Sequence, residues 1–205
     1  MIVRKFVVGN IGNNNYLLIS NGEAAIVDYT NDIPELESVL KENNATLRYV
    51  LLTHAHFDHI GGVKKLQSKY PNVKVYLHTD DKEILEGTND FMSMVGLEPI
   101  EIPKIDVYLK EGDKIKLGDE TIDVIHLPGH TPGGVGYIID NMIFSGDTIF
   151  LNNIGRTDLP GGDFETLVSS IKNKIFTMDD KTIIYTGHGS DTSVEYEKKY
   201  NSFVI

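Results

Sequence analysis

Short apolar runs alternate with Gly/Asn clusters at the start of the chain. "RKFVV", "YLLIS" and "AAIVDY" are β-branched or aromatic segments separated by turn-forming residues, which predicts a strand meander. The period then changes. In "NDIPELESVLKEN" Ile33, Leu36, Val39 and Leu40 recur at helical spacing, Asp32 and Glu35 form a capping-box pattern, and Pro34 fits the first turn. "RYVLLT" returns to the character of a buried strand and runs directly into "HAHFDHIGG". Beyond it Ile60, Val63, Leu66 and Tyr70 predict a helix, "VKVYLH" a strand, and "TDDKEILEG" a short helix from near Thr79. "TNDFMSMVGLEPIEIPKI" has Gly and Pro but no clear period, so a loop excursion is expected there.

"IDVYL", "KIKL" and "ETIDVIHL" predict three further strands, with turns at Gly112-Asp113 and Gly118-Asp119. "GVGYIID" and "NMIFSG" read as a hairpin turning at Asp140-Asn141. An amphipathic helix over "DFETLVSSIKNKIF", a buried strand at "TIIYTG" and a helix at "SVEYEKKY" complete the order. There is no internal repeat, low-complexity tract or linker. Strands, helices, strands and helices in that sequence predict a layered α/β sandwich, one domain over residues 1–205.

Composition narrows the chemistry. With 205 residues, 40% apolar and 24% charged, the chain is long enough to bury a sizeable core. No apolar run approaches the roughly 18 residues of a membrane span, and no continuous apolar segment at the N-terminus reads as a signal peptide. A cytoplasmic protein without a membrane partner is expected. A net charge of −11 argues against a nucleic-acid partner, because phosphate contacts require clustered Lys and Arg. The chain has no cysteine, so disulfides, thiolate nucleophiles and Cys-ligated metals are excluded. Any metal must be held by imidazole and carboxylate.

The ligand types are concentrated. Three of the seven histidines, His54, His56 and His59, share six positions with Asp58. His54, His56 and Asp58 have the same parity, so a strand persisting through them would send all three side chains to one side. His59 follows at the start of the next helix. Three later segments repeat the design of apolar strand, ligand type and glycine: "VIHLPGHTPGG" offers His130, "MIFSGDTIF" offers Asp147 and "IIYTGHGS" offers His188. Five histidines and two carboxylates suit two divalent ions, with His54, His56 and His130 for one, Asp58, His59 and His188 for the other, and Asp147 between them. His126 reads as a buried supporting histidine, on a face with Ile122 and Val124, and His78 as a surface or helix-start residue. Thr131 is placed to hydrogen-bond a ligand. Arg156 and Asp158 read as a local ion pair, with Arg156 meeting a substrate carboxylate as the functional alternative.

His54-x-His56-x-Asp58-His59, His130 in "PGHTPGG", Asp147 in "SGDTIF" and His188 in "TGHG" resemble the metallo-β-lactamase superfamily. "NNYLL" near Asn14 also looks like that family's first hairpin. The resemblance implies a four-layered αββα sandwich with the metal site along one edge between the sheets. It implies two divalent metal ions, zinc foremost with iron or manganese as alternatives, and a metal-bridging hydroxide as nucleophile. Asp58 would be both a ligand and the residue that orients it. The set, with "NIGRTDLPGGD", resembles small glyoxalase-II-like hydrolases, which implies a small-molecule thioester of the S-2-hydroxyacylglutathione kind as substrate. It departs from glyoxalase II proper in lacking the C-terminal helical domain that helps hold glutathione. The same motifs resemble persulfide dioxygenases, which implies as alternative a mononuclear iron held by His54, His130 and Asp147.

Overall fold

A computed structural model describes residues 1–204. The first sheet contains β1 (Ile2–Val8), β2 (Asn13–Ser20) and β3 (Glu23–Val27). After helix α1 (Leu36–Glu42) comes β4 (Thr46–Leu51), and after α2 (Phe57–Ile60) and α3 (Val63–Lys69) comes β5 (Lys74–His78). A 3-10 turn (Thr79–Asp81) leads into α4 (Lys82–Met94), and β6 (Val107–Leu109) is the last strand of this sheet. Strands lie in the order β1 to β6, antiparallel in the first two pairs and parallel from β3 onward.

The second sheet begins with β7 (Lys114–Leu117), β8 (Glu120–His126), β9 (Val135–Ile139) and β10 (Met142–Gly146). A separate two-stranded ribbon, β11 (Ile149–Phe150) and β12 (Asn153–Ile154), follows. Helix α5 (Phe164–Ser170) continues into a π turn (Ile171–Ile175), and β13 (Ile183–Thr186) and β14 (Thr192–Ser193) precede α6 (Val194–Tyr200). The order is β14-β13-β10-β9-β8-β7, with β10 and β13 the parallel pair. The hairpin expected at Asp140-Asn141 is present, with Asp140 at φ 51° as a tight two-residue turn requires.

Alternation along each strand sorts side chains into layers. Leu17 and Ile19 of β2 face α1 and α3, while Tyr16 and Leu18 face the other sheet; β3 divides Ala24 and Ile26 from Ala25 and Val27 in the same way. In the second sheet Phe144 points between the sheets and Ile143 points outward onto Leu167 and Ile171. Central strands are therefore apolar on both faces, as burial on both sides demands. Three apolar layers separate four structural layers, the expected αββα sandwich. Tyr137 crosses the middle layer and donates from its hydroxyl to the Leu52 carbonyl at 2.7 Å, tying the second sheet to the end of β4.

Three expectations change. α1 begins at Leu36 with no side-chain cap, because Asp32 accepts instead from the hydroxyl of the buried Tyr29. β4 ends at Leu51, so His54 and His56 stand on a loop and Asp58 on α2 rather than on one strand. The strand stops because the Asp28 carboxylate takes the Thr53 N–H at 2.8 Å in place of a neighbouring strand. The loop expected from Thr88 is helical as far as Met94. Leu85, Thr88 and Met92 form its buried stripe, and Gly96 at φ 76° ends it with a Leu97 N–H to Met92 carbonyl bond of 2.8 Å.

Candidate metal centre

The parallel strands β3, β4 and β5 end together, next to the ends of β8, β10 and β13 in the facing sheet. Carboxyl ends of strands are where an α/β sheet presents ligand-binding groups. The loop after β4 brings His54 and His56, α2 brings Asp58 and His59, and the turns after β8, β10 and β13 bring His130, Asp147 and His188. All seven residues singled out in the sequence meet here. His54, His56 and His130 form one group, and Asp58, His59 and His188 a second. Asp147 lies between them, with one oxygen 3.4 Å from His59 Nε2 and the other 3.7 Å from His130 Nε2 and 3.5 Å from His188 Nε2.

The spacing fits metal coordination. Two nitrogens at tetrahedral positions around one ion stand about 3.3 Å apart for bonds near 2.05 Å. His56 Nδ1 and His130 Nε2 are 2.9 Å apart, and Asp58 Oδ2 is 3.3 Å from His188 Nε2 and 3.5 Å from His59 Nε2. His54 Nε2, His59 Nε2 and Asp147 Oδ1 are buried with no hydrogen-bond partner, the last two being close but misaligned. Orphaned polar atoms are costly unless something binds them. This donor set implies divalent metal ions.

The opposite ring nitrogens are held by the protein, which fixes what each imidazole presents. His59 Nδ1 donates to Asp28 Oδ2 at 2.8 Å and His130 Nδ1 to the Arg156 carbonyl at 2.7 Å. Thr53 donates its hydroxyl to Asp28 Oδ2 and so is free to accept from His54 Nδ1 at 3.0 Å. Nε2 of His54, His59 and His130 is thereby left as a lone-pair donor.

Charge is unevenly divided. Burial pushes His54 well below the ordinary histidine range, and His59, His56 and His130 add to the effect. His56 is lowered to about 3 by burial and by His130. For His59 burial acts downward, but Asp147, Asp58 and Asp28 outweigh it and raise the imidazole well above its usual value. His188 is likewise lowered by burial yet raised to about 9 by Asp147 and Asp58. Burial would raise both carboxyls, and their histidine neighbours hold Asp58 and Asp147 below the ordinary range. Asp58 and Asp147 thus favour the protonated form of both His59 and His188, and Asp28 adds to the effect at His59.

Several supporting residues escaped the sequence reading. Asp28, at φ 56°, serves Thr53 and His59 together. Asp81 accepts from Ala55 N–H at 2.8 Å, the Thr131 hydroxyl at 3.0 Å and Gly133 N–H at 2.6 Å, so one buried carboxylate clamps the His54–His56 loop to the His130 loop. Thr131 thus serves Asp81 rather than a metal-binding side chain. Asn13 donates to Asp58 Oδ2 at 2.8 Å. Asp28 alone directly follows an apolar strand, as Asp147 does; no local pattern marks Asp81 or Asn13.

His78 is buried rather than at the surface, although it does start the 3-10 turn, accepting from Asp80 N–H. Its ring stacks on His126 with centroids 4.1 Å apart at 14°, and His126 Nε2 donates to the Pro132 carbonyl. Parallel rings do not converge their lone pairs, so with Asp80 this pair packs and braces the His130 loop. His126 itself is only half-buried. Arg156 is exposed and forms the expected ion pair, donating to both Asp158 oxygens at 2.7 and 2.8 Å.

Residues 8–188 match the family model of the metallo-β-lactamase superfamily. The hydroxyacylglutathione hydrolase GloC of Haemophilus influenzae is 37% identical over 88% of this chain and 87% of its own. BLEG-1, a B3 metallo-β-lactamase, superposes with a TM-score of 0.90 at 38% identity, covering 99% of both chains. The protein TTHA1623, solved in a di-iron-bound form, superposes with a TM-score of 0.86 at 34% identity over 98% of this chain and all of its own. By family match, fold and clustered ligands, this chain belongs to the metallo-β-lactamase superfamily of metal-dependent hydrolases.

Proposed function

We propose that this protein hydrolyses thioesters, using two divalent ions held by the seven clustered residues. The observation that carries this is the pair of donor groups with Asp147 between them. His54, His56 and His130 would hold one ion, Asp58, His59 and His188 the other, and Asp147 both. Such ions supply a Lewis acid and lower the pKa of a bound water toward neutrality. The net reaction adds water across the carbonyl and breaks the C–S bond, giving a carboxylate and a thiol. A thiolate leaves readily, so no strong general acid is required of the chain.

The protein's own part is positioning. Asp28 and the Arg156 carbonyl set the imidazole tautomers, and Asp81 fixes the distance between the two histidine loops. Asn13 donates to Asp58 Oδ2, the same oxygen that faces His59 and His188, and so fixes the rotamer of the carboxylate that would orient the nucleophile. Similarity to GloC supports a thioester as substrate, and the full set of seven donors supports two ions over one.

The test is hydrolysis of S-lactoylglutathione by protein loaded with zinc, iron or manganese, with His56→Ala as control. Metal content is measured by elemental analysis, alongside a chromogenic β-lactam and a glutathione persulfide with oxygen uptake. Thioester turnover lost in the variant, at two ions per chain, is the expected result. Oxygen consumption with one iron per chain would overturn it in favour of persulfide oxidation through His54, His130 and Asp147.

A further inference from the structure

A cavity of about 90 Å³ opens immediately beside His56. One face of α4 supplies Ile84, Gly87 and Phe91; Phe57 closes it from α2 and Leu159 from the loop before α5. Residues 84, 87 and 91 are spaced at i, i+3 and i+7, so a single helical stripe forms the wall. The wall is fixed relative to the donor groups. α4 starts one residue after Asp81, and Asp81 holds Ala55, the residue between His54 and His56.

We propose that this cavity is the acyl-specificity pocket, and that it selects short aliphatic acyl groups of about four carbons beyond the carbonyl. The choice of acyl group rests on the thioester reading; the existence of the pocket does not. A cavity near 150 Å³ takes a benzene ring, so 90 Å³ accommodates about four carbon atoms. The occupant is uncharged, since the walls are apolar and the ionisable side chain at the exposed mouth is the Glu83 carboxylate. No Lys or Arg lines it among the described residues. The long, polar thiol half of a biological thioester does not match such a space, which leaves the acyl chain.

Gly87 makes the proposal testable. A Cβ built there meets no atom within 4 Å, so a larger side chain enters open space without displacing backbone. Leu also favours the helix over Gly. The experiment compares kcat/KM for acetyl, lactoyl, isobutyryl, isovaleryl and octanoyl thioesters of N-acetylcysteamine, in the metal-loaded wild type and Gly87→Leu. One methylene in a fitted pocket is worth about tenfold or more. The wild type is expected to prefer isovaleryl over acetyl by at least about 30-fold, with a fall at octanoyl. In Gly87→Leu that ratio collapses by at least about tenfold while Tm stays at or above the wild-type value.

A readout independent of turnover accompanies it: saturation-transfer NMR of isovaleramide, a neutral isostere of the acyl group, on both proteins. Contact in the wild type that is lost in Gly87→Leu supports the pocket even if no thioester is cleaved, in which case the reaction class alone falls. Thioester cleavage indifferent to the acyl chain, with no isovaleramide contact, overturns the pocket and leaves the reaction class standing.

Discussion

Replacing Asp81 with Ala removes the acceptor shared by Ala55 N–H, Gly133 N–H and the Thr131 hydroxyl. The hydroxyl is able to rotate toward another partner, but the two amides are buried and stay where the chain holds them. Each unsatisfied buried donor costs about 1–3 kcal/mol, so the variant should lose about 4 kcal/mol. For a chain of this length that corresponds to a fall in Tm of about 8–16 °C. The damage should also be directional. Asp81 braces the loops of His54, His56 and His130, whereas Asp58 and His59 are held by Asn13 and Asp28. Loss of such outer support typically weakens metal binding by about 10–100-fold, and on the proposed two-ion reading the ion of the His54, His56 and His130 group should be affected far more than the other. Scanning calorimetry and a competitive chelator titration measure both effects. Asp81→Ala with a Tm within about 2 °C of wild type and two unaltered affinities would refute the clamp. Asp81→Asn keeps one acceptor oxygen and should fall between the two.

Three further outcomes follow from the charge distribution and the packing. Loading the metal-free protein at pH 7.5 should release protons from His59 and His188, which are raised, and none from His54 or His56, which are lowered; calorimetry in two buffers of different ionisation enthalpy reads the number, and zero release contradicts the assignment. By the same logic His188, about 9 when folded against about 6.5 unfolded, stabilises the metal-free protein fully below about pH 6.5 and loses that contribution as pH rises through 9, so metal-free Tm should drop between pH 7 and 9.5. A Cβ at Gly187 would collide with Asp147 Oδ1 and stand 3.0 Å from His59 Cε1, so Gly187→Ala should abolish binding of at least one ion by elemental analysis while the far-ultraviolet circular dichroism is retained.

The clustering of the His and Asp residues was legible because coordination chemistry restricts which side chains suit a metal site. In a chain without cysteine only His and carboxylates remain, and they follow apolar strands that a sheet aims rigidly. Their partners were not legible. Asp28 in "AIVDY" and Asp81 in "HTDDK" resemble a turn residue and a helix-start residue, and the groups they accept from lie 25 and 52 residues away in sequence, at Thr53 and at Gly133. His78 reads as exposed by its neighbours, yet it is buried under His126 from the opposite sheet, a contact no local pattern encodes. The second half of α4, residues 88–94, was missed for a related reason. Its polar face and Gly87 hide the period, and its stripe of Leu85, Thr88 and Met92 is one residue short of a plainly apolar face.

The turn after β13 delivers His188, while the first donors stand at His54 to His59. Synthesis of the roughly 130 intervening residues, at about 5–20 residues per second, takes on the order of ten seconds. During that interval the nascent chain exposes part of a chelating set but cannot enclose an ion. Metal selection is therefore postponed to the finished fold, when both sheets have met and Asp147 lies between the two groups. Which cation the protein carries is then governed by the exchangeable metal pool it meets as a completed molecule, and host cells with different pools should yield the same polypeptide with different metals.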